Sequence, residues 1–308
     1  MKIAVMGSGG VGGYFGARLA AAGNDVTFVA RGSHLAAMRK GGLRLDSDIG
    51  NLHLASVQVV ADAEEIAATE AVIFAVKMGD TESAAQSLRS LVAKGATVFT
   101  FQNGVESAER VGKIVGAKSV VPGVARIGSH ISEPGVIKQT GAFCQLLFAE
   151  ADGKPSARTT ALHEACTKAG FDATLSPDIH REIWMKFGML APLAAVTALT
   201  RGPIGPVRAN THSRALLQAL VEETVAVAVA LKAGLEPADV ATLMQLLDTF
   251  PKTLMASMAH DLVAAKPIEL DGLSGAVVRL GRQAGVPTPS HKFITQALAP
   301  FAAGKPRV

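Results

Sequence analysis

The stretch Gly7-Ser8-Gly9-Gly10-Val11-Gly12 restricts the possible folds of this chain more than any other. Glycines cluster by chance in turns, so GxGxxG alone says little. Here it follows the apolar, β-branched run KIAVM and opens the helix-forming stretch YFGARLAAAG. A second strand-like run, DVTFVA, ends about 18 residues after Gly12. Strand, glycine turn, helix and strand in that order make a dinucleotide-binding βαβ unit. Gly7 permits the tight turn, Gly9 lets backbone approach a pyrophosphate, and Gly12 lets the helix pack on its strand. Ser8, Gly10 and Val11 complete the loop, and helix N-terminal amides meet the negative charge.

The alternation continues. Further apolar runs, AVIFAV, ATVFTF and SVVPGV, are separated by Ala-rich helical stretches, the pattern of a mostly parallel sheet covered by helices. From roughly 125 to 150, glycine-punctuated short runs predict antiparallel strands added to that sheet. Past Pro177 the strand signals stop. Helical periodicity follows over 178–199, 208–233, 237–248, 251–264 and 268–284, with Gly and Pro breakers between. The expected architecture is therefore α/β: a Rossmann-type doubly wound sheet over 1–176, then an all-α substrate and catalytic domain over 177–308, with the boundary near Ser176.

Composition excludes several classes. Apolar residues make up 49% and charged residues 18% of 308, which fits globular domains and excludes disorder. The net charge of +4 comes from scattered Lys and Arg, and one Tyr is too few for a stacking platform, so nucleic acid is not an expected partner. The mild positive bias favours small anionic ligands. Cys144 and Cys166 have no metal or redox spacing and are expected to be reduced packing residues. The eight histidines form no HxH or HxxxH pair, so no metal is expected. The opening MKIAVMG is too short for a signal peptide core, and the longest apolar stretches, near 188–199 and 224–231, fall short of a membrane span. A cytoplasmic location without membrane association is expected.

After the second strand, a unit selective for NAD would carry an acid for the ribose hydroxyls, but this chain has Ala30-Arg31-Gly32-Ser33. Arg31 can grip a 2′-phosphate bidentately, Ser33 can add a hydroxyl, and Lys77 at the end of a later strand can add charge, so NADP(H) is preferred. The competing role for Arg31 is a solvated surface cation. Asn103, in QNG at a strand's carboxyl end, is either a site residue or half of an Asn-Gly turn.

In the second half, WMKFGMLAPLAA (184–195) carries one charge, Lys186, in an otherwise apolar dozen. Helical spacing puts Lys186, Leu190 and Ala194 on one face. Ser257-Met258-Ala259-His260-Asp261 and Pro267-Ile268-Glu269-Leu270-Asp271-Gly272 follow. The ordered set GxGxxG, Arg31, QNG, WxK, SMxxD, PxELDG and GVPTP resembles the ketopantoate reductase (2-dehydropantoate 2-reductase) family over essentially the whole length. That resemblance implies a Rossmann domain followed by a helical domain, with the active site in the cleft between them. It makes Lys186 the residue that polarises the substrate carbonyl and relays a proton. Glu269 becomes the carboxylate that meets the substrate's hydroxyl side or ties the lysine, and Ser257 and Asn103 surround substrate and nicotinamide, with Asn103 and Glu269 also touching the cofactor. Arg31 and Lys77 become the basic pair at the 2′-phosphate.

The family pattern breaks at one place. Its lysine helix carries two asparagines where this chain has Leu190 and Ala194, and Pro192 lies between them, where it is expected to kink the helix. Losing two carboxamides removes hydrogen bonds worth about 1 to 3 kcal/mol each when buried. Three readings follow: a ketopantoate reductase with other polar groups compensating, an NADPH-dependent reductase of a more apolar branched 2-oxo acid, and a non-catalytic NADPH-binding sensor. A small-molecule 2-oxo acid is the expected partner, with a homodimer as an open possibility.

Overall fold

Lys2–Met6 (β1) lies inside a ten-stranded sheet because its alternate residues are apolar in both directions. Ile3 and Val5 enter one hydrophobic cluster, with Phe15, Phe28 and Phe99, while Ala4 and Met6 enter another, with Val72, Phe74 and Leu88. A strand buried on both faces needs helices above and below it. In the computed structural model, which describes residues 1–306, the chain divides into a unit spanning Met1–Ile179 and a second that begins at His180.

The first unit pairs β1 with Asp25–Val29 (β2), and β2 with Gln58–Val60 (β5), on one side. On the other side come Ala71–Phe74 (β6), Thr97–Thr100 (β7) and the start of Val120–Glu133 (β8). All of these pairings are parallel. The long β8 then turns at Pro134-Gly135 and runs antiparallel to Val136–Phe148 (β9), as the 125–150 pattern predicts. Beyond β9 the sheet gains Leu43–Ser47 (β3) and Leu52–Leu54 (β4), while Asp172–Leu175 (β10) also pairs β9. Strands β3, β4 and β5 are short and mixed in polarity, and their periodicity is too weak to identify from sequence. The two cysteines are free and buried, and burial pushes the Cys166 thiol up to about 12, which leaves it an inert packing group.

The described part of the second unit is helical, with boundaries that differ from the periodicity. The segment 208–233 is two helices, Ile204–Ala209 and Thr211–Ala230, split at Asn210, whose side-chain oxygen accepts from the amides of His212 and Ser213. The helix expected over 251–264 begins only at Ser257. Pro251 starts a loop in which the carbonyls of Lys252 and Leu254 accept from the amides of Gly205 and Ile204 instead. The run 268–284 opens with a π-turn, Asp271–Gly275, where the Gly275 amide reaches the Leu270 carbonyl, and continues as Ala276–Ala284. Pro289–Leu298 is a further helix that the periodicity left out.

Ile179–Thr200 is a single 22-residue helix through Pro192. It extends the apolar stretch near 188–199 toward its N-terminal side, and by length and composition the whole helix is long enough to cross a membrane. Of its most apolar window, 61% is buried inside the protein, which is how a core helix meets the same criterion.

Candidate functional site

Three of the four glycines in the fingerprint loop have three different needs. Gly7 has φ +96°, and a Cβ there would lie 2.8 Å from the Val76 amide nitrogen, so the turn and the neighbouring loop both exclude a side chain. At Gly12 a Cβ would run into the Gly7 carbonyl and come 3.0 Å from the Val5 side chain. Gly9 is the opposite case: a Cβ would meet nothing within 4 Å. Its face is open, as backbone must be if a pyrophosphate is to approach it. Helix Gly10–Ala21 starts there and presents the amide ends of Gly10, Val11 and Gly12. The residues therefore fit a dinucleotide.

Ser8 is spent on the scaffold. Its amide and hydroxyl both donate to the Val29 carbonyl, at 3.2 and 2.9 Å, which ties the loop to the end of β2. Its carbonyl is held from the other side by His34, buried in the helix Gly32–Gly41, whose Nε2 lies 2.9 Å away. The Gly135 amide donates to Nδ1 of the same ring at 3.0 Å. Burial holds the His34 pKa below the usual imidazole value. Sequence reasoning passed over His34. The available signal was a histidine three residues after Arg31, at a helix start directly behind the cofactor loop.

Arg31 precedes that helix and is exposed, as is Ser33. Lys77 is exposed in the loop after β6, and Asn103 is half-buried in the loop after β7; both are engaged by neighbouring groups. Gly104 has φ +84°, and Asn103, Gly104 and Val105 form a bend, the left-handed backbone that an Asn-Gly pair favours. The two loops are cross-braced by Gln102, another residue the sequence did not single out. Its amide donates to the Val76 carbonyl and the Thr81 hydroxyl, both at 2.9 Å, and its oxygen accepts from Ser107. Arg110 braces the same loop through the Met78 carbonyl and a bidentate pair to Glu82 at 2.7 Å, which lowers the Glu82 pKa. These loops lie at the carboxyl ends of β1, β6 and β7, where open parallel sheets take ligands.

In the second unit Lys186 is half-buried on Ile179–Thr200 and engaged by neighbouring groups. Trp184 packs edge-on to Phe187, centroids 5.6 Å apart, and both are buried. The helix is pinned near its start by Arg181, which donates to both oxygens of Asp239 at 2.9 and 2.7 Å and to the Gly234 carbonyl. The Arg181 guanidinium holds the Asp239 pKa below the usual carboxylate range. A Cβ on Gly188 would come 2.8 Å from Leu243, so this glycine sets the close approach to helix Asp239–Thr249. Leu190 is half-buried, and Ala194 is only 1% exposed. Neither offers a polar group where the family pattern has carboxamides.

Ser257 is exposed at the start of helix Ser257–Val263, and the preceding Ala256 amide donates to Thr197 on the lysine helix at 3.4 Å. Glu269 is half-buried just before the π-turn, is engaged by neighbouring groups, and gives its carbonyl to the Leu273 amide. Ser274 in that turn is fully buried, 3.2 Å from His291, whose other ring nitrogen lies 2.9 Å from Thr224 and 3.0 Å from the Leu220 carbonyl. The fold thus places Gly7 to Gly12, Arg31, Lys77 and Asn103 in the first unit, and Lys186, Leu190, Ala194, Ser257 and Glu269 in the second.

The first unit has a loop fitted to phosphates and a cation for an additional one. The second has an ammonium on a braced helix, a hydroxyl at the start of another, and a carboxylate just before the π-turn. These are the parts needed to reduce a carbonyl with a nicotinamide nucleotide.

Residues 3–153 match the family model for ketopantoate reductase PanE/ApbA, and residues 178–302 match the model for its C-terminal region. The chain is 31% identical to a 2-dehydropantoate 2-reductase from Mesorhizobium japonicum over 94% of each chain. Its structure is similar to that of a PanE/ApbA family ketopantoate reductase from Ralstonia eutropha JMP134, with a TM-score of 0.90, 29% identity and 98% of each chain covered. D-mandelate dehydrogenase has the same fold, with a TM-score of 0.89, 22% identity and 98% of each chain covered.

Proposed function

The chain belongs to the ketopantoate reductase family and is an NADP-dependent oxidoreductase acting on a CH–OH group; from that premise we propose that it reduces 2-dehydropantoate to pantoate with NADPH. Membership in a family of oxidoreductases displaces the sensor reading. The observation that carries the proposal is Lys186, a half-buried ammonium in an apolar dozen, on a helix anchored by the Arg181–Asp239 pair.

The chemistry NADPH would supply when bound is a hydride for the carbonyl carbon. As negative charge develops on the carbonyl oxygen, the Lys186 ammonium stabilises it more strongly than it stabilised the neutral ketone, and it then gives that oxygen a proton. Ser257 and Asn103 donate to the substrate and fix its orientation without a metal. Glu269 supplies the countercharge that makes a partly buried Lys186 tolerable. Arg31 and Lys77 hold the 2′-phosphate, and the open face at Gly9 takes the pyrophosphate.

A second reading is favoured by one observation: half-buried Leu190 presents only hydrocarbon, while Ala194 is withdrawn into the core and offers the substrate no polar group. A wall without hydrogen-bonding partners suits a branched 2-oxo acid that lacks a hydroxyl, because a site built to bind a hydroxyl can prefer it by up to about 10⁴-fold. NADPH oxidation with 2-dehydropantoate beside a panel of branched, hydroxyl-free 2-oxo acids decides between them by kcat/KM. Preference for 2-dehydropantoate supports the first reading, and preference for a hydroxyl-free acid replaces it with the second.

A further inference from the structure

We propose that His34 is a positioning residue for the cofactor, a neutral imidazole that sets the direction of the Gly9 amide by holding the Ser8 carbonyl. The proposal rests on the NADPH reading of the first unit. The Gly135 amide can only donate, so the Nδ1 it reaches at 3.0 Å must carry the lone pair. The ring proton is then on Nε2, which donates to the Ser8 carbonyl at 2.9 Å. Both nitrogens are satisfied by backbone in a side chain only 8% exposed, which fixes the ring's tautomer and its orientation.

The consequence runs through one peptide plane. In a trans peptide the carbonyl of one residue and the N–H of the next point in opposite directions. Holding the Ser8 carbonyl toward His34 therefore turns the Gly9 N–H the other way. Gly9 is the fingerprint residue at which an added Cβ would meet nothing within 4 Å, while the Ser8 amide and hydroxyl are already committed to Val29. The amide of Gly9 is thus a donor aimed by the protein before any ligand arrives, so the cofactor does not have to order it. Because the ring also grips Gly135, at the turn between β8 and β9, the loop is braced from the sheet as well as from the helix Gly32–Gly41.

Three variants separate the two ends of the ring. A glutamine amide reaches the Nε2 position and can still donate to Ser8. An asparagine amide reaches only the Nδ1 position and keeps the Gly135 contact, and alanine keeps neither. The expected result is NADPH binding within about threefold of the parent for His34→Gln, and about tenfold or more weaker for His34→Asn and His34→Ala, the effect of losing one aimed hydrogen bond to a charged group. At saturating NADPH, kcat stays at the parent value, a split that general destabilisation does not produce. Adenosine 2′-phosphate, which lacks the pyrophosphate but keeps the group meant for Arg31, binds all three variants like the parent. Equal binding of NADPH by the Gln and Asn variants overturns the proposal, as does a matching loss for adenosine 2′-phosphate; if the Ala variant does not fold, the Gln and Asn pair decides alone. A parent chain that binds neither nucleotide removes the cofactor reading itself.

Discussion

Lys186 and Arg31 are both cations near apolar segments, yet their loss should be felt in different constants. Lys186→Ala removes stabilisation present mainly in the transition state, so kcat is expected to fall about 10²- to 10⁴-fold while NADPH binds as before. Stopped-flow turnover beside a direct NADPH titration checks this, and an unchanged kcat rejects the lysine's role. Arg31→Ala removes a bidentate phosphate partner: KM for NADPH should rise about tenfold or more with NADH little affected. An equal rise for both nucleotides would instead mark Arg31 as a surface cation of general effect. Both residues were legible in the sequence because a charge in an apolar run, or a base where an acid is expected, is a local anomaly. His34 and Gln102 were not, since their partners, Gly135 and Val76, lie 101 and 26 residues away.

At the scale of elements, the fingerprint turn makes a prediction that separates folding from binding. Gly12→Ala places a methyl against the Gly7 carbonyl, so the turn or the helix must shift, at about 1 to 3 kcal/mol of stability. Gly9→Ala adds a methyl that meets no protein atom within 4 Å. Its melting temperature should match the parent, while NADPH binding weakens because the methyl stands where backbone has to meet phosphate. Thermal unfolding with and without NADPH reads both effects, and a melting loss at Gly9 equal to that at Gly12 rejects the distinction. The β1, β2, β6 and β7 strands and the first helix were readable because their apolar runs are continuous and their breakers sharp. The helix boundaries at Asn210 and Ser257 were not, because a cap and a loop pairing with Ile204 and Gly205 outweigh hydrophobic period there.

Across the whole molecule, acid should destabilise the fold in two steps. His291 is fully buried among Thr224, Ser274 and the Leu220 carbonyl, and burial lowers its pKa from 6.5 to about 4. Above pH 6.5 the ring is neutral whether the chain is folded or not, and it contributes no pH dependence. Between 6.5 and 4 the unfolded chain takes up the proton first, so stability falls as pH falls, by about 3 kcal/mol in all, and levels off below 4. His34 adds a loss of the same sign. Asp239, Asp248, Glu150 and Glu82 have lowered pKa values from their arginine partners, so their contributions persist to lower pH and disappear as those carboxylates protonate. Urea unfolding at pH 7.5, 5 and 4 tests the order: a stability flat from 7.5 to 4 contradicts a neutral buried His291. The sequence by itself determined the two-part architecture, the dinucleotide unit and the candidate residues, because period, glycine placement and misplaced charge are properties of neighbours along the chain. Only the tertiary structure decided which backbone groups those residues are held by, how Ser8, His34 and Gly135 lock one peptide, and how closely Gly188 comes to Leu243, because those facts depend on atoms brought together from distant positions, and close packing leaves them a single arrangement.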